Sequence, residues 1–143
     1  MEDPFRLERF VAAQDGVYEE ARAELRRGAK TSHWMWFVFP QITGLGASPM
    51  SRRFAISSLD EARAYLRHAV LGTRLVDCAE IVADSVGRSA PDIFGPVDAR
   101  KLHSSMTLFM RASPDQGCFL RVLDRYFDGL PDAATDEVLA SIM

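Results

Sequence analysis

The feature that most constrains this chain is the recurrence of apolar residues at every third or fourth position, in segment after segment. Leu75, Ala79 and Val82 share one side of a helix, and Leu102, Met106, Phe109 and Met110 do the same further on. That period of about 3.6 belongs to an α-helix with one buried face, whereas a half-buried strand needs strict alternation. The segments are also punctuated. Asp3 with Pro4 opens a first helix carrying Leu7, Phe10 and Val11; Asp15 caps a second through Val17, Ala21 and Leu25, which Gly28 stops after Arg26 and Arg27. Ser58 and Glu61 have the spacing of a capping box. A helix from Val70 ends near Gly87, Pro96 starts another, Ser113 or Asp115 caps the next, in which Phe119, Val122 and Leu123 pack inward, and Thr135 caps the last. Residues 43–50 and 88–96, rich in glycine and proline, read as loops. With no hairpin signature and no alternation of strand with helix, the expected class is all-α: a compact single-domain bundle of about seven helices with two irregular loops, over residues 1–143.

Length and charge bound the function. At 143 residues the chain suffices for one complete core. Its net charge of -3 supplies no long-range field for nucleic acid or an anionic membrane, so neither partner is expected. Cys78 and Cys118, two in number and each in an apolar helical context, read as buried free thiols suited to a reducing compartment. The first residues are charged and hold no apolar signal core, and the longest apolar run, Trp34 to Phe39, is far shorter than the roughly 20 residues of a membrane span. A cytoplasmic protein is expected.

Chemistry concentrates in one stretch, KTSHWMWFVFPQITGLG at 30–46, which holds both tryptophans, a histidine, a lysine and a glutamine. Its six consecutive apolar residues fit a buried strand or a buried helix; Thr31 or Ser32 as cap and Pro40 at the end favour a short buried helix. His33 is the candidate general base or phosphate contact, although a lone histidine beside aromatic residues is more often a packed side chain satisfied by a backbone carbonyl. Trp34 and Trp36 point to different sides of a helix, so one is expected in the core and the other in a cleft, able to stack on a base or sugar ring. Gln41 needs hydrogen-bond partners, from a loop it clamps or from a ligand. Lys30, Arg52 and Arg53 flank the segment and can neutralise an anion, although solvated surface is the default for each.

A second constellation is Lys101, Ser104 and Ser105, at i, i+3 and i+4 on one helix. Hydroxyls and an ammonium on one face can hold phosphate or carboxylate oxygens; alternatively the small serines allow close helix approach. The serine-first order of the SxxK nucleophiles is missing, as are the GxGxxG, P-loop, GxSxG and HExxH signatures. His33, His68 and His103 lie in separate elements without zinc spacing, so no metal and no cofactor is expected.

Several of these strings, RFVAAQDGVYEEARAEL at 9–25, KTSHWMWFVFPQITGLG at 30–46, EARAYLRHAVLGTRL at 61–75 and FGPVDARKLHSSMTLF at 94–109, with VLDRYFDG and Asp132 to Thr135 behind them, resemble the bacterial family known as domain of unknown function 1810. The resemblance spans nearly the whole chain and implies a small, mainly α-helical domain with no assigned activity and no catalytic residue to carry over. Some members are labelled calpastatin, but a calpain inhibitor of that kind is long, disordered and repetitive, unlike this aromatic-rich chain without repeats.

The residues together support one expectation above the others: a small anionic, nucleotide-like metabolite held between the 30–53 segment and the 98–107 helix. A tryptophan would stack on it, Lys101 and an arginine would neutralise it, and His33, Gln41, Ser104 and Ser105 would orient it. The alternatives are a hydrolase with His33 as general base, and a protein-interaction module using the aromatic 34–39 stretch, its protein partner unknown.

Overall fold

In the computed structural model, which describes residues 2–142, the described residues form ten helices and no strand. They are α1 (Glu8–Gln14), α2 (Tyr18–Arg27), α3 (Met35–Val38), α4 (Pro49–Arg53), α5 (Leu59–Arg67), α6 (Leu71–Asp84), α7 (Ala90–Phe94), α8 (Pro96–Ala112), α9 (Gly117–Tyr126) and α10 (Ala133–Ile142). Seven have seven residues or more, and they occupy the segments that carry apolar periodicity.

The additional helices α4 and α7 are single turns that begin in segments read as loops. Ser48 caps α4 by accepting from Ser51 N, with Pro49 in the first turn. Ser89 and Asp92 form a complete capping box on α7, which buries Ile93 and Phe94. In both, proline opens a helical turn instead of breaking one, because its missing N–H falls where no intrahelical partner exists.

Other helix boundaries depart from expectation for equally local reasons. The Asp3 carboxylate accepts from Leu7 N at 2.8 Å and Glu8 N at 3.0 Å, so it caps α1, but the helix begins at Glu8 and not at Pro4. Val17 precedes α2 and Gln116 precedes α9, neither with a side-chain cap, so Asp15, Ser113 and Asp115 do not serve. The capping box at Ser58 is half made: Ser58 Oγ accepts from Glu61 N, while Glu61 turns to Ser57 and Arg9. Asp132, not Thr135, caps α10, accepting from Thr135 N at 3.0 Å. Helix α6 stops at Asp84, one turn before Gly87.

The long helix α8 is the axis of the molecule, packed against α5, α7, α9 and α10, while α6 joins α2, α5 and α9, and α1 lies on α3. From Ser104 to Phe109 every residue of α8 is buried, as a helix surrounded by neighbours requires. The buried side chains form one contiguous cluster that includes Phe10, Trp34, Phe39, Tyr65, Phe109 and Phe119. Each such aromatic side chain contributes on the order of 2–3 kcal/mol by leaving water. Close approach is enforced at Gly72, where a Cβ would stand 2.0 Å from the Leu66 carbonyl oxygen.

Between α3 and α5 the chain makes an excursion over the surface. Its base is pinned by a parallel bridge between Ile42 and Ile56, with Thr43 N donating to Ile56 O and Ile56 N to Gln41 O, both at 2.8 Å. The loop and α4 therefore stand as a wall beside α8. Among the described residues no helix is long and apolar enough to cross a membrane.

Candidate functional site

The stretch from Ser32 to Phe39 is anchored from below by one carboxylate. Glu24, on α2 and wholly buried, accepts from Thr31 N at 2.7 Å, Ser32 N at 2.9 Å, Trp34 Nε1 at 3.0 Å and the Ser32 hydroxyl. Burial pushes its carboxyl up, but the donors from Ser32, Thr31 and Trp34 outweigh burial and bring it down to about 2. Ser32 thus serves Glu24 and does not cap α3. Trp34 is the core tryptophan, fully buried with its one polar atom satisfied.

A second ionic cluster ties α3 to α8. Asp98 receives Lys30 Nζ at 2.8 Å and Lys101 Nζ at 3.3 Å. The Lys30 ammonium, which also donates to Ser32 O, lies 4.9 Å from the Trp34 ring centre, and that of Lys101 lies 4.5 Å from the Trp36 ring centre. Each lysine thereby pairs with a shared carboxylate and an aromatic face. Lys30 is nearly buried in this arrangement and is neutralised there, so it is a structural link and not a surface cation awaiting an anion.

Above this cluster a cleft of 410 Å³ opens between α8 and the loop wall. One side is the helix stripe Val97, Arg100, Lys101 and Ser104, at i, i+3, i+4 and i+7; the other is Gln41, Leu45, Gly46 and Ser51, with Asp132 at the far end. Gly46 leaves room for the turn, since a Cβ there would meet Ser51 Oγ at 2.5 Å. Gln41, Gly46 and Ser51 also line an adjoining recess of 180 Å³, floored by Trp36 and Phe54 and edged by Arg52. The Gln41 side-chain amide stands where the two spaces meet and is bonded to no protein atom among the described residues, so it clamps no loop. Arg52 and Arg100 are exposed and, among the described residues, carry no ion pair.

The structure therefore brings together Trp36, Gln41, Arg52, Lys101 and Ser104 of the residues singled out in the sequence, and leaves the others elsewhere. His33 is exposed and borders neither space. Arg53 borders neither space, its guanidinium 5.2 Å from the Phe54 ring centre. Ser105 is buried, its hydroxyl without a partner, and faces the core. The polar strip on α8 is thus rotated by one position from Lys101, Ser104 and Ser105 towards Arg100. Ser104 itself is buried at the cleft floor and shares a hydrogen bond of 2.8 Å with Thr135 Oγ1 on α10.

Arg100, Ser51 and Asp132 were not legible beforehand. Extending the helical stripe back by one turn from Ser104 would have found Arg100; Ser51 and Asp132 come from segments whose approach to α8 no local pattern encodes. Asp132 Oδ2 accepts from Thr135 N and Thr135 Oγ1 at 3.0 and 2.6 Å at the start of α10, and its carboxylate keeps its charge at the cleft end. The lining therefore combines Arg100 and Lys101 with the Asp132 carboxylate and the Gln41 amide, and the adjoining recess has an aromatic floor.

In the 34–39 stretch, Trp34, Met35, Phe37, Val38 and Phe39 are all buried and Trp36 is partly exposed, so most of the stretch belongs to the core. The cysteines are free and buried; burial raises Cys78 to about 12 and Cys118 to about 11, leaving both as inert thiols.

Comparison with known proteins agrees with this architecture. The family described as Protein of unknown function (DUF1810) matches residues 4–139. The chain is also similar to the crystal structure of the conserved hypothetical protein Rv1873 from Mycobacterium tuberculosis, with 53% identity over 96% of this chain and 99% of that one and a TM-score of 0.95. No curated protein matches it.

Proposed function

The chain belongs to the DUF1810 family of proteins of unknown function, and from that premise we propose that it binds a small anionic metabolite in the cleft between α8 and the 41–51 loop. One observation carries the reading: the unpaired Arg100, the half-paired Lys101 and the unbonded Gln41 amide converge on one concave space of 410 Å³, within the roughly 300–1,000 Å³ of ordinary ligand pockets. Arg100 and Lys101 supply charge, Gln41 and Ser51 orient the ligand, and the Trp36 face in the adjoining recess suits a base or sugar ring. Free, buried thiols fit a cytoplasmic setting, where such metabolites occur.

Catalysis is not part of this reading. His33 has no hydrogen-bonded neighbour to orient it among the described residues and does not border the cleft, so the hydrolase with His33 as base has no supporting geometry.

The test is thermal-shift screening against nucleoside monophosphates, sugar phosphates and dicarboxylates, followed by calorimetry on wild type, Gln41→Ala and Arg100→Ala. A hit that weakens at least tenfold in both variants supports the cleft. No hit among these compounds, or a hit indifferent to both substitutions, overturns it.

A further inference from the structure

The cleft does not end at Arg52. Thr43, Arg52 and Ala55, which edge the small recess, also line a third hollow of 340 Å³, where Arg6 and Arg53 stand. Shared lining residues place the three spaces side by side in series, with the small recess between the other two. The outer lobes, of 340 and 410 Å³, each reach ligand-pocket size, whereas the middle lobe of 180 Å³ falls below the usual minimum of about 300 Å³ and acts as a neck.

The far lobe is a built surface. Arg9 uses every donor of its guanidinium: Nε to Arg53 O at 2.9 Å, Nη1 to Phe5 O at 2.6 Å and Arg6 O at 3.0 Å, Nη2 to Ala55 O at 2.8 Å and Glu61 Oε2 at 2.9 Å. That one side chain fastens the N-terminal segment to the strip around Ala55, which places Arg6 beside Arg53. Arg6 is held at φ 51, a left-handed conformation rarely adopted by a residue with a side chain and retained only where the surroundings over-determine it. With Arg9 and Glu61 neutralising each other, Arg6, Arg52 and Arg53 remain unpaired among the described residues, on a chain whose net charge is -3.

The series thus has Arg100 and Lys101 at one end, with Asp132 at the far side of that space, Arg6, Arg52 and Arg53 at the other, and Trp36 in the recess between them. We infer that its ligand is a bis-anionic small molecule with two phosphoryl-type groups on separated atoms, one seated at each end and the connecting portion passing over Trp36. This rests on the binding role proposed for the cleft and extends it to a second anion subsite. Two weak subsites joined by one ligand reinforce each other because the second contact forms within the complex, and the gain peaks when the spacer matches the span.

A chemical ruler tests this. Calorimetry compares methylphosphonate with α,ω-alkane bisphosphonates of increasing chain length on the full chain. The expected result is a best length that binds at least tenfold more tightly than methylphosphonate, beyond the twofold due to having two equivalent ends. In the double variant Arg6→Gly/Arg53→Ala that advantage falls to threefold or less while methylphosphonate binding at the Arg100 end persists; glycine suits the positive φ of residue 6, and unchanged thermal melting shows that the fold is kept. Bisphosphonates binding no better than methylphosphonate at any length overturn the second subsite and leave the first in place. If neither compound binds, both readings fall together.

Discussion

Replacing Glu24 by glutamine tests whether one ionised carboxylate organises the aromatic segment. The side chain keeps its shape and one acceptor oxygen, and its new amide group can face the Ser32 hydroxyl, so the change removes the charge more than the contacts. The carboxyl lies at about 2, against 4.5 for a free glutamate, a difference of about 2.5. At about 1.36 kcal/mol per pKa unit, ionisation contributes on the order of 3 kcal/mol to stability at pH 7. Because the folded-state value is the lower one, that contribution is complete above about pH 4.5 and is lost as the pH falls towards 2. At pH 3 about 1 kcal/mol should remain. Urea unfolding followed by tryptophan fluorescence should therefore show Glu24→Gln less stable than wild type by roughly 3 kcal/mol at pH 7, with the gap shrinking by about 2 kcal/mol at pH 3. Glu24→Ala should cost a further 1–3 kcal/mol or so, since it strands the buried Trp34 Nε1 without an acceptor. A gap that does not change with pH, or a glutamine variant as stable as wild type at pH 7, would refute the assignment of Glu24 as a carboxylate held ionised by its donors.

Other perturbations give equally definite outcomes. Arg9→Ala breaks the 2.9 Å pair with buried Glu61 and releases four carbonyl contacts, so chemical denaturation should report a loss of about 3–5 kcal/mol. Gly72→Ala drives a Cβ into the Leu66 carbonyl oxygen, against backbone that cannot move aside; destabilisation of about 1–3 kcal/mol or more is expected, and an unchanged melting temperature would contradict the close approach. A disulfide-exchange reagent such as dithionitrobenzoate should leave Cys78 and Cys118 unmodified in the native protein at pH 8 and label both in denaturant, because burial holds the two thiols near 12 and 11.

Much of the fold is written in local pattern. The periodic segments become the long helices, Gly28 ends α2 at φ 71 as its position implies, and Ser58 caps α5. The misreadings share a cause: several polar side chains lie within reach of the same free N–H groups, and tertiary packing selects among them. Asp132 caps α10 because the helix begins at Ala133, which puts Thr135 inside the first turn with both its N–H and its hydroxyl donating to Asp132; Glu61 leaves Ser58 for Ser57 and for Arg9, 52 residues away. Single-turn helices such as α4 and α7 are missed because a turn of helix and a proline-bearing loop have nearly the same composition; α7 is held by its own Ile93 and Phe94 entering the core, and α4, which buries no residue, by its Ser48 cap.

The candidate site divides along the same line. Sequence alone determined that the chain is helical, that Trp34 and Trp36 must part company on a helix, and that polar groups suited to anions collect around 30–53 and on α8, since helix formation and face separation depend on residues within one or two turns. Only the tertiary structure decided which of those groups are free. Lys30 is consumed by Asp98 and His33 is left outside, while Arg100, Gln41 and Trp36 border two adjoining spaces, because pairing and exposure depend on residues distant in the chain whose approach is set by the packing of the entire core.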